Sequence, residues 1–175
     1  MGEDTLDVVD SFCYLGYMIL ASGGCERAII ARIRSAWSKF HELLPLLTSR
    51  SVSLLHRGQF YNICVRRVLL HGAECWATTA KDIDRLQRTD RAMIRWMCKV
   101  RLEDRVSSVA LLKRLKLSPV EFSVQESRLR WFGHVSRSKD WINKVTTLQV
   151  EGSMPRGRPK KTWLETVTKD RKMWG

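Results

Sequence analysis

Hydrophobic and polar positions follow two rhythms along this chain, and the switch between them divides it. The run Phe12-Cys13-Tyr14-Leu15-Gly16-Tyr17-Met18-Ile19-Leu20 is aromatic and apolar, broken by Gly16 and closed by Ser22-Gly23-Gly24. That pattern predicts a small β-hairpin or paired strands. From Glu26 to Leu44 the rhythm becomes helical, with Ile29, Ile33, Ala36, Trp37, Phe40 and Leu44 at three- and four-residue steps and Pro45 opposing continuation. A second helix is predicted from Ser53 to Leu70, stopped at His71-Gly72.

The third helix has the clearest pattern. Thr79 is its expected cap, and Asp82 and Asp84 suit its first turn. On a helical wheel with Arg85 at zero, Ile83, Leu86, Met93, Ile94 and Met97 fall between about 80° and 180°. Arg85, Arg88, Arg91, Arg95 and Lys99 fall between about 240° and 360°. The expectation is a basic face opposite a core face, with the acids Asp84 and Asp90 off the basic arc and engaged in helix-start charge or pairing with Arg. Such a face is a candidate nucleic-acid contact. Trp96, at its edge, reads either as a base-stacking residue or as packing between helices.

A short helix follows over Ser108–Leu115. Ser118-Pro119-Val120-Glu121 then combines a Ser cap, Pro at the first helical position and Glu three residues after the cap. The helix it starts is expected to end at Val135 or Ser136. Beyond Lys139 the apolar pattern thins. A Gly- and Pro-containing basic stretch, 152–161, reads as a linker or arm before a last amphipathic segment, Thr162 to Met173. The fold class is therefore mainly α: a short N-terminal hairpin, a helical bundle and a basic C-terminal tail.

Charge changes this picture. Lys and Arg number 31 against 18 Asp and Glu, a formal +13 over 175 residues. Residues 1–24 carry four acids and no Lys or Arg, whereas 25–138 carry 22 basic residues against 10 acidic. Phosphate backbones are the commonest polyanion to compensate such an excess. An anionic membrane surface fits less well, because no lipidation signal is present and the apolar runs fall far short of a span. The five cysteines are dispersed without C-x-x-C spacing, which excludes the usual zinc and secreted-disulfide patterns and suggests a nuclear or cytoplasmic, non-secreted protein.

The chemistry of phosphodiester enzymes needs clustered carboxylates for paired Mg²⁺ ions. The sequence has no Asp-Asp pair, and Glu3-Asp4 and Glu103-Asp104 stand apart from other acids. No P-loop, G-x-S-x-G or H-E-x-x-H occurs. No catalytic residue, metal ligand or cofactor is therefore expected in this chain. The sharpest local motif is Pro155-Arg156-Gly157-Arg158-Pro159-Lys160-Lys161. Its slim Arg-Gly-Arg backbone resembles an AT-hook, which enters the narrow A·T minor groove through Arg156, Gly157, Arg158, Lys160 and Lys161. A flexible basic linker or nuclear-import signal accounts for the run equally well.

Several segments, taken in order, resemble the C-terminal region of non-LTR (LINE-type) retrotransposon endonuclease–reverse transcriptases. They are Phe12 to Gly16, Val68-Leu69-Leu70-His71-Gly72-Ala73-Glu74-Cys75-Trp76, Thr89 to Cys98, Asp104-Arg105-Val106-Ser107, Arg128 to Val135 and Arg156 to Trp163. Arg67 and His71 stand where the family often has Pro and Tyr. The resemblance implies that residues 1–24 are a primer-grip-like hairpin, with Phe12, Tyr14, Leu15 and Gly16 at the primer. It implies a helical thumb over 25–100, post-thumb helices over 101–138 and a basic tail over 139–175. The partners implied are an RNA or DNA template–primer duplex, A·T-rich DNA for the arm, and a palm and fingers upstream. Mg²⁺ and the polymerase carboxylates would belong to that upstream part, as in a 5′-truncated copy. A free-standing AT-hook-like DNA-binding or chromatin protein, or a helical protein-interaction domain, remain the alternative readings.

Overall fold

The computed structural model describes residues 9–14, 17–21, 23–138, 144 and 161–174. Strands β1 (Ser11–Tyr14) and β2 (Tyr17–Leu20) pair antiparallel, with Phe12 opposite Ile19 and Cys13 opposite Met18. Strand side chains alternate between faces, so Phe12, Tyr14 and Ile19 share one side. All three are exposed there, while Met18 and Leu20 on the other side are half-buried and β2 lies against α1.

Helix α1 (Glu26–Glu42) buries Ala28, Ile29, Ala36 and Phe40 along the expected stripe. It ends two residues short of Leu44, and the chain restarts as the single turn α2 (Leu44–Leu47). Pro45 has no N–H to donate back into α1, and its fixed φ suits the start of a new turn. That restart sinks Leu47 into the core.

Ser53 caps the next helix by accepting from the His56 amide at 3.3 Å. Helix α3 (Leu54–Phe60) then widens into a π-helical segment, Tyr61–Arg66, before α4 (Arg67–Leu69). Sequence periodicity gave one regular α-helix here. Tyr61 and Arg66 would stand about 140° apart on such a helix; the wider i→i+5 turn lets both be buried. Asp90 holds them there: it accepts from Tyr61 Oη at 2.8 Å and from Arg66 Nε and Nη2 at 2.8 Å each. Gly72, in the left-handed region at φ 79°, ends the helical run, and a 3-10 turn (Ala73–Cys75) leads to the buried Trp76.

Helix α5 (Ala80–Cys98) starts with a full capping box between Thr79 and Asp82. Helix α6 (Ser108–Leu115) is capped by Ser107. Helix α7 (Val120–Arg137) lacks the expected box. The Ser118 hydroxyl bonds to that of Ser123, the Ser118 carbonyl accepts from Arg66, and Glu121 turns to accept from Gln87 on α5. A distant partner has replaced the local one for Glu121, while the Ser118 hydroxyl stays with a near neighbour. Residues of α1, α2, the π-helical segment, α4, α5, α6 and α7, from Cys25 to Val124, share one apolar core.

The last helix, α8 (Trp163–Trp174), packs on α7. The buried Arg128 pairs with Asp170 of α8 and donates to Thr78 Oγ1 at 2.9 Å. Trp163 Nε1 donates to the Glu74 carbonyl at 2.7 Å, and Trp174 Nε1 to Gln125 at 3.1 Å. No helix among the described residues is long and apolar enough to cross a membrane.

Candidate nucleic-acid interface

Helix α5 divides into faces as its sequence requires. Leu86, Met93, Ile94 and Met97 are buried, and Ile83 packs at the margin of the core. The opposite face carries the five cations, but their environments differ. Arg85 reaches Glu26 of α1 at 3.1 Å. Arg88 pairs with Asp84, one turn before it.

Pairing with Arg is as expected for Asp84, but its place on the helix is not: it lies about 100° behind Arg85 and so inside the basic arc, not off it. Asp90 does lie on the inner side, against Arg66 and Tyr61. Arg95 is half-buried and donates to the carbonyls of Arg101 at 3.0 Å and Val106 at 2.7 Å. Arg91 is exposed, with the neutral Gln87 amide at 3.1 Å as its partner among the described residues. Lys99 caps the helix in the left-handed region, exposed and with no acidic partner among the described residues. The cations open to an external anion are thus Arg91 and Lys99, toward the C-terminal half.

More positive charge lies on the loop that follows and on α6. Arg101, Arg105, Lys113, Arg114 and Lys116 are exposed and unpaired with any acid among the described residues. Arg57 donates to the Met97 carbonyl at 3.2 Å, on the last turn of α5. Burial pushes the Cys98 thiol up, and the Arg57 and Arg114 guanidiniums oppose that rise. Sequence reasoning missed this group because its members come from α3, a loop and α6. The only local signal was the excess of basic over acidic residues across 99–116.

Aromatic residues flank the helix. Trp96 is 48% exposed and leans on Trp37, Phe40 and His41, with ring centroids 6.2, 6.0 and 5.5 Å away. It packs between α1 and α5 yet leaves an edge in solvent. Phe12 and Tyr14 stand on the open face of the hairpin. Leu15, Gly16, Arg156, Gly157, Arg158 and Lys160 lie outside the described residues. Lys161 is described: its ammonium donates to the Thr78 carbonyl at 2.9 Å, and burial, then Lys169 and Arg128, lower its pKa.

The described carboxylates mostly have structural partners. Asp82 closes the capping box, Asp84 holds Arg88, Asp90 holds Arg66, Asp104 accepts from the Arg101 amide and Asp170 holds Arg128. Among the described residues no group of three His, Cys, Asp or Glu side chains could hold a metal ion.

Over 155 residues the chain is 26% identical to a Caenorhabditis elegans protein described as transposon-derived and uncharacterized. The similarity supports a transposon-related origin. It covers 83% of the chain and 53% of the relative, so the chain spans about half the length of that curated protein. No family model and no solved structure matches the chain.

Proposed function

We propose that this transposon-related chain binds RNA and DNA duplexes through the outer face and C-terminal end of α5, as the thumb-like, non-catalytic part of a non-LTR reverse transcriptase. The observation that carries the reading is the pair Arg91 and Lys99. Arg91 is exposed on a helix whose other side is core, Lys99 is exposed at that helix's C-cap, and neither has an acidic partner among the described residues. A row of cations without counter-charges raises the local potential and favours a polyanion over water and small ions. The helical bundle that follows an N-terminal hairpin supports the reading, as does the transposon-derived relative.

In this reading the chain grips a template–primer duplex without sequence preference. The polymerase carboxylates and their Mg²⁺ belong to a palm outside it, and the site of action is nuclear or cytoplasmic. The test is anisotropy of a labelled RNA/DNA hybrid across a salt series. Each neutralised phosphate contributes about 0.9 to the log–log slope. Arg91→Gln with Lys99→Gln is expected to lower that slope by roughly 2. An unchanged slope in a folded double variant rejects the assignment.

A further inference from the structure

The loop between α5 and α6, residues 99–106, is firmly held. Arg95 fastens it at two points, through the carbonyls of Arg101 and Val106. Inside the loop the Arg101 amide donates to Asp104 at 2.6 Å and the Arg105 amide to the Leu102 carbonyl at 3.2 Å. Lys99 and Arg105 both take left-handed backbone angles, φ 56° and 49°. Non-glycine residues hold that region only where surrounding contacts impose it.

What the loop presents is unusual for a surface. Leu102 is 80% exposed, more than any other large apolar side chain described. Arg101 and Arg105 flank it, exposed and without acidic partners among the described residues. The acids of the loop are Glu103 and Asp104, and Asp104 is already engaged by the Arg101 amide. Lys99 and Arg91 continue the positive surface back along α5, and Arg114 adds to it from α6.

An apolar tip between two arginines, on a preorganised loop continuous with a cationic helix, matches the chemistry of a nucleic-acid groove. Phosphates line its edges, and between them the sugar faces and the stacked base steps, into which Leu and other apolar wedges insert, offer apolar surface. We propose that loop 99–106 is a second duplex contact: Arg101 and Arg105 bind phosphates on either side of a groove and Leu102 packs into it. Arg95 is a positioning residue that fixes the loop and touches no nucleic acid itself. The inference rests on the reading of α5 as a duplex-binding face and adds residues that the helix does not contain.

The experiment uses the full chain and the same labelled hybrid duplex. Arg101→Gln with Arg105→Gln is expected to lower the salt slope by roughly 2. Leu102→Ala is expected to weaken binding several-fold with the slope unchanged. Arg95→Gln is expected to speed amide exchange across 100–106 and to weaken binding to the level of the Arg101/Arg105 double variant, more than loss of one phosphate contact allows. Wild-type slope and affinity in the Arg101/Arg105 variant, with a lowered slope in the Arg91/Lys99 variant, overturns the loop contact and leaves the helix reading standing. Unchanged duplex affinity in Leu102→Ala, with Leu102-dependent binding to phosphatidylserine vesicles, also overturns it. A wild-type chain that fails to bind duplex at physiological salt removes both readings.

Discussion

Asp90 of α5 receives the Arg66 guanidinium on both carboxylate oxygens, at 2.8 Å each, with both side chains almost wholly buried. Tyr61 Oη adds a third bond to the same carboxylate, and Arg66 Nη1 extends to the Ser118 carbonyl at 2.8 Å. Burial works against the Arg66 charge, but Asp90 outweighs it and holds the guanidinium above its ordinary value. The network ties the π-helical segment to α5 and to the start of α7. It therefore sets the orientation of the helix that carries the cations.

Breaking that network from one side leaves a buried charge unpaired. Asp90→Ala is expected to cost about 3–5 kcal/mol. Replacing Arg66 and Asp90 together by Met and Leu is expected to cost much less than the sum of the single changes. Urea denaturation of the single and double variants reads both outcomes.

Asp84 restrains Arg88, so its removal should strengthen binding. Asp84→Asn is expected to tighten the chain on duplex and steepen its salt slope by about 1, as one more cation becomes available. Arg88→Gln alone should change the slope less than Arg91→Gln. A slope in Asp84→Asn equal to the wild-type value removes Arg88 from the interface.

The Cys25 thiol is pushed up to about 12 from its ordinary 9.0, by burial first and by Asp82 next. In the unfolded chain this thiol ionises above 9.0, while in the folded chain it stays protonated until about 12. Its contribution is complete below the lower value and is lost as pH rises through the window toward the upper one. Tyr61, raised by burial and then by Asp90, acts in the same direction. Stability should therefore fall from roughly pH 9 upward. Urea midpoints in Cys25→Ala should fall less steeply over that range.

Gly58 sits where α3 meets α6. A Cβ there would stand 2.5 Å from the Leu115 carbonyl oxygen, a backbone atom that cannot swing aside. Gly58→Ala is expected to destabilise the chain by about 1–3 kcal/mol through this overpacking, despite the gain in helix propensity. A thermal melt at or above the wild-type midpoint would show that α6 can shift.

The Arg128–Asp170 pair holds α8 to α7 across 42 residues of chain. Asp170→Ala strands Arg128 in the interior and is expected to free α8. Trp163 and Trp174 then lose their bonds to Glu74 and Gln125, which a red shift of tryptophan emission and early proteolysis at α8 should report.

Local pattern by itself determined much of this protein. Thr79 as cap, the stop at Gly72, α6 over Ser108–Leu115, the paired strands and the buried stripe of α5 follow from periodicity and capping chemistry, which act within a few residues. Other features required distant partners. Asp90 draws Tyr61 and Arg66 inward and widens the helix between them, and Gln87 takes up the Glu121 carboxylate expected to cap α7. The division of the basic face was also tertiary. A wheel places five cations on one side, but it cannot say that Glu26 meets Arg85 or that Arg95 turns to two loop carbonyls. A charge is placed by its own helix; whether it remains free for a phosphate depends on what folding brings beside it.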